Sequence, residues 1–146
     1  MMYRGSGESL EVLLAHPGGP FFRNKDDGAW SIPKGLMNDQ EAPREAALRE
    51  FGEEIGLAVE EPLIPLGTIV QRGGKTVHAW AFRGTAPSGF SPKSNSFEIE
   101  WPPRSGKRQS FPEIDRAEFF GVSQALRKIN PAQVPFIERL LAALTQ

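Results

Sequence analysis

The chain contains no cysteine, which removes disulfides, thiolate metal sites and a cysteine nucleophile from consideration. Histidine is scarce as well, with two in 146 residues, so a histidine-rich zinc site is not available either. No run reaches the ~18–20 apolar residues that cross a bilayer. The opening MMYRGSGESLEVLLAH has neither the basic start nor the apolar run of a signal peptide. A cytoplasmic protein with no membrane association is therefore expected. A large charge of one sign is missing too, since 17 basic residues face 18 acids for a net charge of −1. A stable complex with nucleic acid, held by bulk electrostatics, is not expected.

What is present suits one domain spanning residues 1–146, with 39% hydrophobic and 24% charged residues. LEVLLAH (10–16) reads as a buried strand stopped by Pro17-Gly18-Gly19-Pro20, with MMYR as its hairpin partner. The run from Pro43 to Ile55 predicts a helix, with proline in its first turn and Gly56 just past its end. LIPLGTIVQ (63–71) and KTVHAWAFRG (75–84), joined by Arg72-Gly73-Gly74, predict a hairpin. His16 and His78 are assigned structural roles, and Trp80 a place in the core. Residues 85–112 read as one long Pro/Ser/Gly-rich loop enclosing an extended FEIEW (97–101). EFFGV (118–122) is the last expected strand. Helices follow over 123–129 and 131–145, the second with Ile137, Leu140, Leu141 and Leu144 as its core stripe. This order implies an α+β fold, with helices covering a mixed sheet.

The helix over 43–55 carries the chemistry. Leu48, Phe51 and Ile55 form a narrow apolar stripe, while Glu50, Glu53 and Glu54 cluster on the far side. Glu45–Arg49 and Arg49–Glu53 are spaced i,i+4, so one reading is a salt-bridged surface helix, each pair worth ~0.2–0.5 kcal/mol. The other reading is a cation site. Carboxylates one turn apart converge beside the helix, where a hard divalent ion relieves their repulsion. All-oxygen ligation suits Mg2+ or Mn2+. Mg2+ fills its remaining positions with water and phosphate oxygens, which implies a phosphate-containing small molecule attacked by water.

The flanking letters decide between them. Gly35, Glu41 and the run Arg49-Glu50-Phe51-Gly52-Glu53-Glu54-Ile55-Gly56-Leu57 match the Nudix box, G-x5-E-x7-R-E-U-x-E-E-x-G-U. Phe51 stands where the family usually has Ile, Leu or Val. The chain therefore resembles a Nudix hydrolase. The resemblance implies an α/β/α sandwich with a mixed β-sheet and hydrolysis of a diphosphate linkage in a nucleoside diphosphate joined to another group. It also implies Glu50, Glu53 and Glu54 as metal ligands, with the Gly35 carbonyl as a further one. Arg49 then holds box glutamates in place, and Glu41 fixes the loop. The general base is either Glu53 or a glutamate of a later loop. Glu113 in FPEIDRAEFF is the candidate, with Glu98, Glu100 and Glu118 as rivals.

Trp30-Ser31-Ile32-Pro33-Lys34-Gly35 resembles branches acting on dinucleoside polyphosphates, diphosphoinositol compounds or related long phosphate chains, and Lys34 is a candidate phosphate contact. Further along, Phe97 and Trp101 are candidates for stacking a base, and Arg104, Lys107 and Arg108 for meeting phosphates. Triphosphate sanitising and dinucleoside polyphosphate hydrolysis both stay open, whereas RNA-cap removal is disfavoured by the lack of an extended basic surface. A non-catalytic Nudix-fold nucleotide-binding or regulatory module is the competing class, and a homodimer is left open.

Overall fold

The structure, a computed structural model, describes residues 1–33, 42–71, 73–87 and 89–145. The elements in order are β1 (Met2–Arg4), β2 (Glu11–Pro17), α1 (Pro43–Ile55), β3 (Ile64–Gln71) and β4 (Lys75–Arg83). Then come β5 (Ser96–Glu100), β6 (Arg108–Pro112), β7 (Ile114–Gly121), α2 (Val122–Lys128) and α3 (Val134–Leu144). Single 3-10 turns precede β2 (Gly7–Ser9) and α3 (Pro131–Gln133).

Five strands form one mixed sheet in the order β3-β4-β1-β2-β7. β1 pairs antiparallel with β2, as its hairpin partner, and parallel with β4. β2 lies inside the sheet and is buried continuously from Val12 to His16, because both of its faces are covered. Its even positions, Val12 and Leu14, pack with Trp30, Val77, Ala79, Phe136, Ile137 and Leu140. Its odd positions, Leu13 and Ala15, pack with Phe51, Ile55, Phe82, Ile114 and Ala117. One face thus carries α2 and α3 and the other carries α1. This is a three-layer α/β/α sandwich.

Trp30 is the hub of the α3 side. It is 1% exposed, stands edge-on to His16 and Phe120 at 5.1 and 4.9 Å, and donates Nε1–H to Asp26 at 2.8 Å. Gln133 is fully buried there. Its Oε1 accepts the Ile32 amide at 2.9 Å and its Nε2 donates to Gln71 Oε1 at 2.8 Å, so the start of α3 is tied to the Trp30–Pro33 segment and to β3.

Several expectations are adjusted by the fold. The loop assigned to 85–112 contains a separate two-stranded hairpin, β5 with β6. RQSFP gave no strand signal because all of β6 is exposed except Phe111, leaving no apolar alternation to read. β7 begins at Ile114, four residues before the expected 118, with Ile114 and Ala117 on its core face. The C-terminal helix over 131–145 opens with a 3-10 turn before α3 begins at Val134, with Pro135 in its first turn. His16 is structural, as expected. His78, in contrast, is exposed and stacks parallel to a half-buried Trp80 at 6.3 Å. The core side of β4 is Val77, Ala79 and Ala81; His78 and Trp80 alternate onto the other face, at the margin of α1. Among the described residues no helix is long and apolar enough to cross a membrane.

Leu140 is 0% exposed in α3, while Leu126 on α2 is 38% exposed. Leu140→Ala should cost about 2–5 kcal/mol, since it leaves a cavity. Leu126→Ala should stay within about 0.5 kcal/mol. Urea unfolding of the two variants checks both.

Candidate active site

α1 holds its acids by an unusual arrangement of one cation against several anions. Arg49 reaches Glu50 Oε1 at 2.8 Å through Nη2 and Glu53 Oε2 at 3.0 Å through Nη1. The two carboxylates are thereby fixed on one side of the helix, one turn apart. They differ in depth: the Glu50 side chain is 12% exposed, that of Glu53 is 42% exposed, and Glu54 is buried. The three glutamates therefore do not share one solvated face. The buried side of α1 is Ala46, Phe51, Glu54 and Ile55, and Leu48 is only half-buried. At the C-terminal end Gly56 takes φ 80° and returns its N–H to the Gly52 carbonyl at 3.0 Å. That left-handed conformation closes the helix immediately after the acids.

Burial raises the pKa of Glu50 above the ordinary value of 4.5; Arg49 opposes the shift, while the charges of Glu53 and Glu113 add to it. Glu113 thus lies within electrostatic reach of the helix acids, although it belongs to the junction between β6 and β7. Its backbone is clamped on both sides, its N–H donating to the Asn95 carbonyl at 2.8 Å and its carbonyl accepting the Gly18 N–H at 2.9 Å. Ser94 Oγ accepts the Ile114 N–H at 3.0 Å. Lys93 passes over Gly56, within ordinary contact of any Cβ placed there. The strip 93–95 therefore connects the end of α1 to Glu113. Glu98 and Glu100 lie exposed on β5, Glu98 at 3.8 Å from Arg108, and Glu118 is exposed opposite Leu14 on β7. None of these three is among the leading causes of the shift at Glu50.

The loop after β2 packs against the β5–β6 hairpin. A Cβ on Gly18 would lie 2.0 Å from the Pro112 carbonyl oxygen, and one on Gly19 (φ 97°) would lie 2.8 Å from the Phe97 ring. Only glycine allows this approach. Phe97 is occupied by that contact and by Phe111 at 6.1 Å, so it is part of the hairpin's own packing. Trp101 is half-buried at the hairpin's far end, and Arg104, Lys107 and Arg108 are exposed around the turn. The sequence reading missed Phe21, which is 62% exposed and stands edge-on to Trp101 at 5.5 Å with planes 80° apart. Its only signal in the sequence is an apolar pair directly after the Pro-Gly-Gly-Pro turn. Lys34, Gly35 and Glu41 lie outside the described residues. Among those described, no group of three or more acidic or histidine side chains closes into a metal cage. The donor set still fits a hard cation, because carboxylate oxygens with no cysteine and no histidine among them favour Mg2+ or Mn2+.

A three-layer sandwich with an acid-rich helix on one face and a further glutamate brought to it defines a Nudix-type domain. A family model for the NUDIX domain matches residues 1–140. The chain belongs to the Nudix hydrolase family. Over 55 residues it is 38% identical to an RNA pyrophosphohydrolase of Pseudomonas paraeruginosa, covering 36% of this chain and 35% of that protein. Over 66 residues it is 35% identical to an RNA pyrophosphohydrolase of Hahella chejuensis, covering 44% and 41%. The matched stretches span under half the length of these relatives. The fold superposes on a C. elegans Ap4A hydrolase with a TM-score of 0.65 at 21% identity, covering 99% of this chain and 94% of the other. It also superposes on the NUDIX domain of Shewanella oneidensis NrtR, solved with ADP ribose, with a TM-score of 0.62 at 14% identity, covering 98% and 83%. At such identities these likenesses establish the fold.

The raised pKa of Glu50 has a consequence for stability. A carboxyl whose folded pKa lies above its unfolded value contributes nothing to the pH dependence while both states are protonated. It lowers stability as pH rises through 4.5 and the folded value. In metal-free buffer containing EDTA, Glu50→Gln should therefore raise the unfolding midpoint at pH 7. The difference from the parent should close as pH falls below 4.5. Denaturant unfolding at several pH values reads this directly.

Proposed function

We propose that the chain is a divalent-cation-dependent pyrophosphohydrolase that cleaves a diphosphate linkage in a nucleoside diphosphate joined to a further group. The observation that carries this reading is a largely buried helix acid, Glu50, bridged through Arg49 to Glu53 one turn on, with the charge of Glu113 added from the β6–β7 junction. Structural ion-pair helices do not need an acid imported from a distant loop. In this reading Glu50, Glu53 and Glu54 hold Mg2+ or Mn2+, with the Gly35 carbonyl as a further ligand. Arg49 orients two of the three carboxylates. The cation supplies charge neutralisation for phosphate oxygens and acidifies water.

The protein's own groups account for the remaining steps. Glu113 takes the proton of the attacking water, its backbone fixed by Asn95 and Gly18; Glu53 is the alternative base. The water oxygen bonds to phosphorus as the bridging P–O bond breaks, and the departing phosphate carries the electron pair away. Lys34, Arg104, Lys107 and Arg108 meet phosphate oxygens of the substrate, and Trp101 stacks its base. The substrate is a nucleotide. The relatives that act on RNA add short triphosphorylated RNA to the substrates worth assaying, beside nucleoside triphosphates, dinucleoside polyphosphates, nucleotide sugars and ADP-ribose.

The purified chain with Mg2+ or Mn2+ should hydrolyse at least one class in that panel. Glu113→Gln should lower kcat by about 10²–10⁴ while leaving the metal requirement unchanged. Glu53→Gln should raise the Mg2+ concentration needed for half-maximal rate. A Glu53→Gln enzyme that matches the parent on every substrate at saturating Mg2+ removes the metal-site assignment. Silence across the panel with tight binding of one compound would replace the enzyme by a nucleotide-sensing module.

A further inference from the structure

The geometry points to Phe21 and Trp101 as a two-walled corner that holds the nucleobase of the substrate, with Phe21 as a specificity-determining residue contributed by the loop after β2. This rests on the nucleotide hydrolase reading and extends it to a residue outside the box and outside the β5–β6 hairpin. Three large hydrophobic residues are conspicuously exposed among the described residues: Phe21, Val70 and Leu126. Phe21 is the aromatic one, and it is placed against another aromatic that is itself half-buried. The rings stand 80° apart with centroids 5.5 Å apart. Two planes at a right angle give a flat heterocycle one face to stack on and one edge to abut. Stacking of this kind holds any base, because every base has a π-face.

The corner is held in place before any ligand arrives. On one side, the two glycine approaches and the Gly18 N–H to the Glu113 carbonyl seat the loop on the root of the hairpin. On the other, both backbone groups of Trp101 are engaged. Its N–H donates to the Lys107 carbonyl at 2.9 Å, and its carbonyl accepts Gln109 Nε2 at 3.0 Å. The Ser105 N–H returns to the Pro102 carbonyl at 3.1 Å, closing the turn that carries Arg104 and Lys107. A ligand therefore finds the walls already ordered, which lowers the entropic cost of binding.

The position suits a base tethered to a reacting phosphate. Phe21 lies three residues beyond Gly18, a chain reach of roughly 10 Å from the Glu113 carbonyl. The far end of the hairpin, where Glu100 pairs with Arg108, is four strand residues from Pro112, or roughly 13 Å. Those spans are comparable with a ribose and its attached phosphates. A nucleotide can thus lay its base in the corner while its phosphates run back toward Glu113 and Glu50. The exposed Arg104 and Lys107 lie on the turn just beyond Trp101.

The test uses the full chain and ATP, GTP, CTP and UTP as probes. Binding in Ca2+ is followed by tryptophan fluorescence, and hydrolysis in Mg2+ is followed by phosphate release. 5-Phosphoribosyl 1-diphosphate serves as the base-free comparison. Nucleotides should quench the parent's fluorescence, and W101F should lose most of that change. F21A should weaken nucleotide binding and raise KM on the order of tenfold, with kcat within about twofold. F21Y should restore the parent's values, and KM for the base-free compound should not move in F21A. Phe21 is 62% exposed, so F21A should unfold at the parent's midpoint, which thermal melting checks. Unchanged nucleotide affinity in F21A overturns the inference, as does an equal loss for the base-free compound or absence of binding by all four probes. If nucleotides bind and quench but nothing is hydrolysed, the corner stands and the hydrolase reading fails.

Discussion

The guanidinium of Arg49 lying between Glu50 and Glu53 is the interaction on which the rest of the site depends. Without it, two carboxylates one turn apart on the same helix would repel, and each would lower the stability of α1. With it, the pair is oriented on one guanidinium, and Glu113 adds a further negative charge from outside the helix. Burial raises the pKa of Glu50, and the charges of Glu53 and Glu113 add to that shift against Arg49. Such a helix is less stable than it could be, and that deficit is what a bound cation would recover. The core face of α1, with Phe51 and Ile55 against Leu13, Ala15 and Phe82, supplies the packing that keeps the helix folded in spite of it.

Glu113 shows how the sheet and loops serve that helix. It sits where β6 hands over to β7, a junction that has to turn sharply and still present a side chain toward α1. The junction is fixed by Asn95 on one side and by Gly18 on the other, and Gly18 is admissible because a larger residue would strike the Pro112 carbonyl. The loop after β2, the strip 93–95 and the hairpin are therefore mutually braced, and Glu113 is their common point. Their exposed outer ends carry Phe21, Trp101 and the basic turn.

The legibility of this chain in its sequence followed the strength of local signals. α1 was readable to its ends because Pro43 and Gly56 are chemically suited to their positions and the alternation of Leu48, Phe51 and Ile55 matches a helix. β2 was readable because a doubly buried strand must be apolar throughout. β6 was not, since a two-stranded hairpin lying in water asks nothing of the residues RQS. Trp80 was misassigned for a related reason. An apolar strand with both faces covered looks the same as one whose covering helix stops short, and only the packing of α1 distinguishes them. At the site, the box acids were read from spacing, and Glu113 from its place before the last strand. Phe21 was invisible, because its significance is a contact with Trp101 eighty residues away, and no spacing rule encodes such a contact.

That difference separates chemistry from choice of substrate. Acids that converge from one helix have to sit on it at fixed intervals, so the pattern of Glu50, Glu53 and Glu54 can be read from the sequence. Groups that meet the rest of the substrate need only be brought near it, and two loops braced by glycines do so without a linear motif. The exposed Phe21 and the basic turn can consequently vary with little effect on the acids that Arg49 holds, since among the described residues the links from the hairpin to α1 run through the strip 93–95 and the braced backbone at Gly18 and Glu113. Substitutions at the outer corner should act on which molecule binds, and substitutions at α1 on whether the bound molecule reacts.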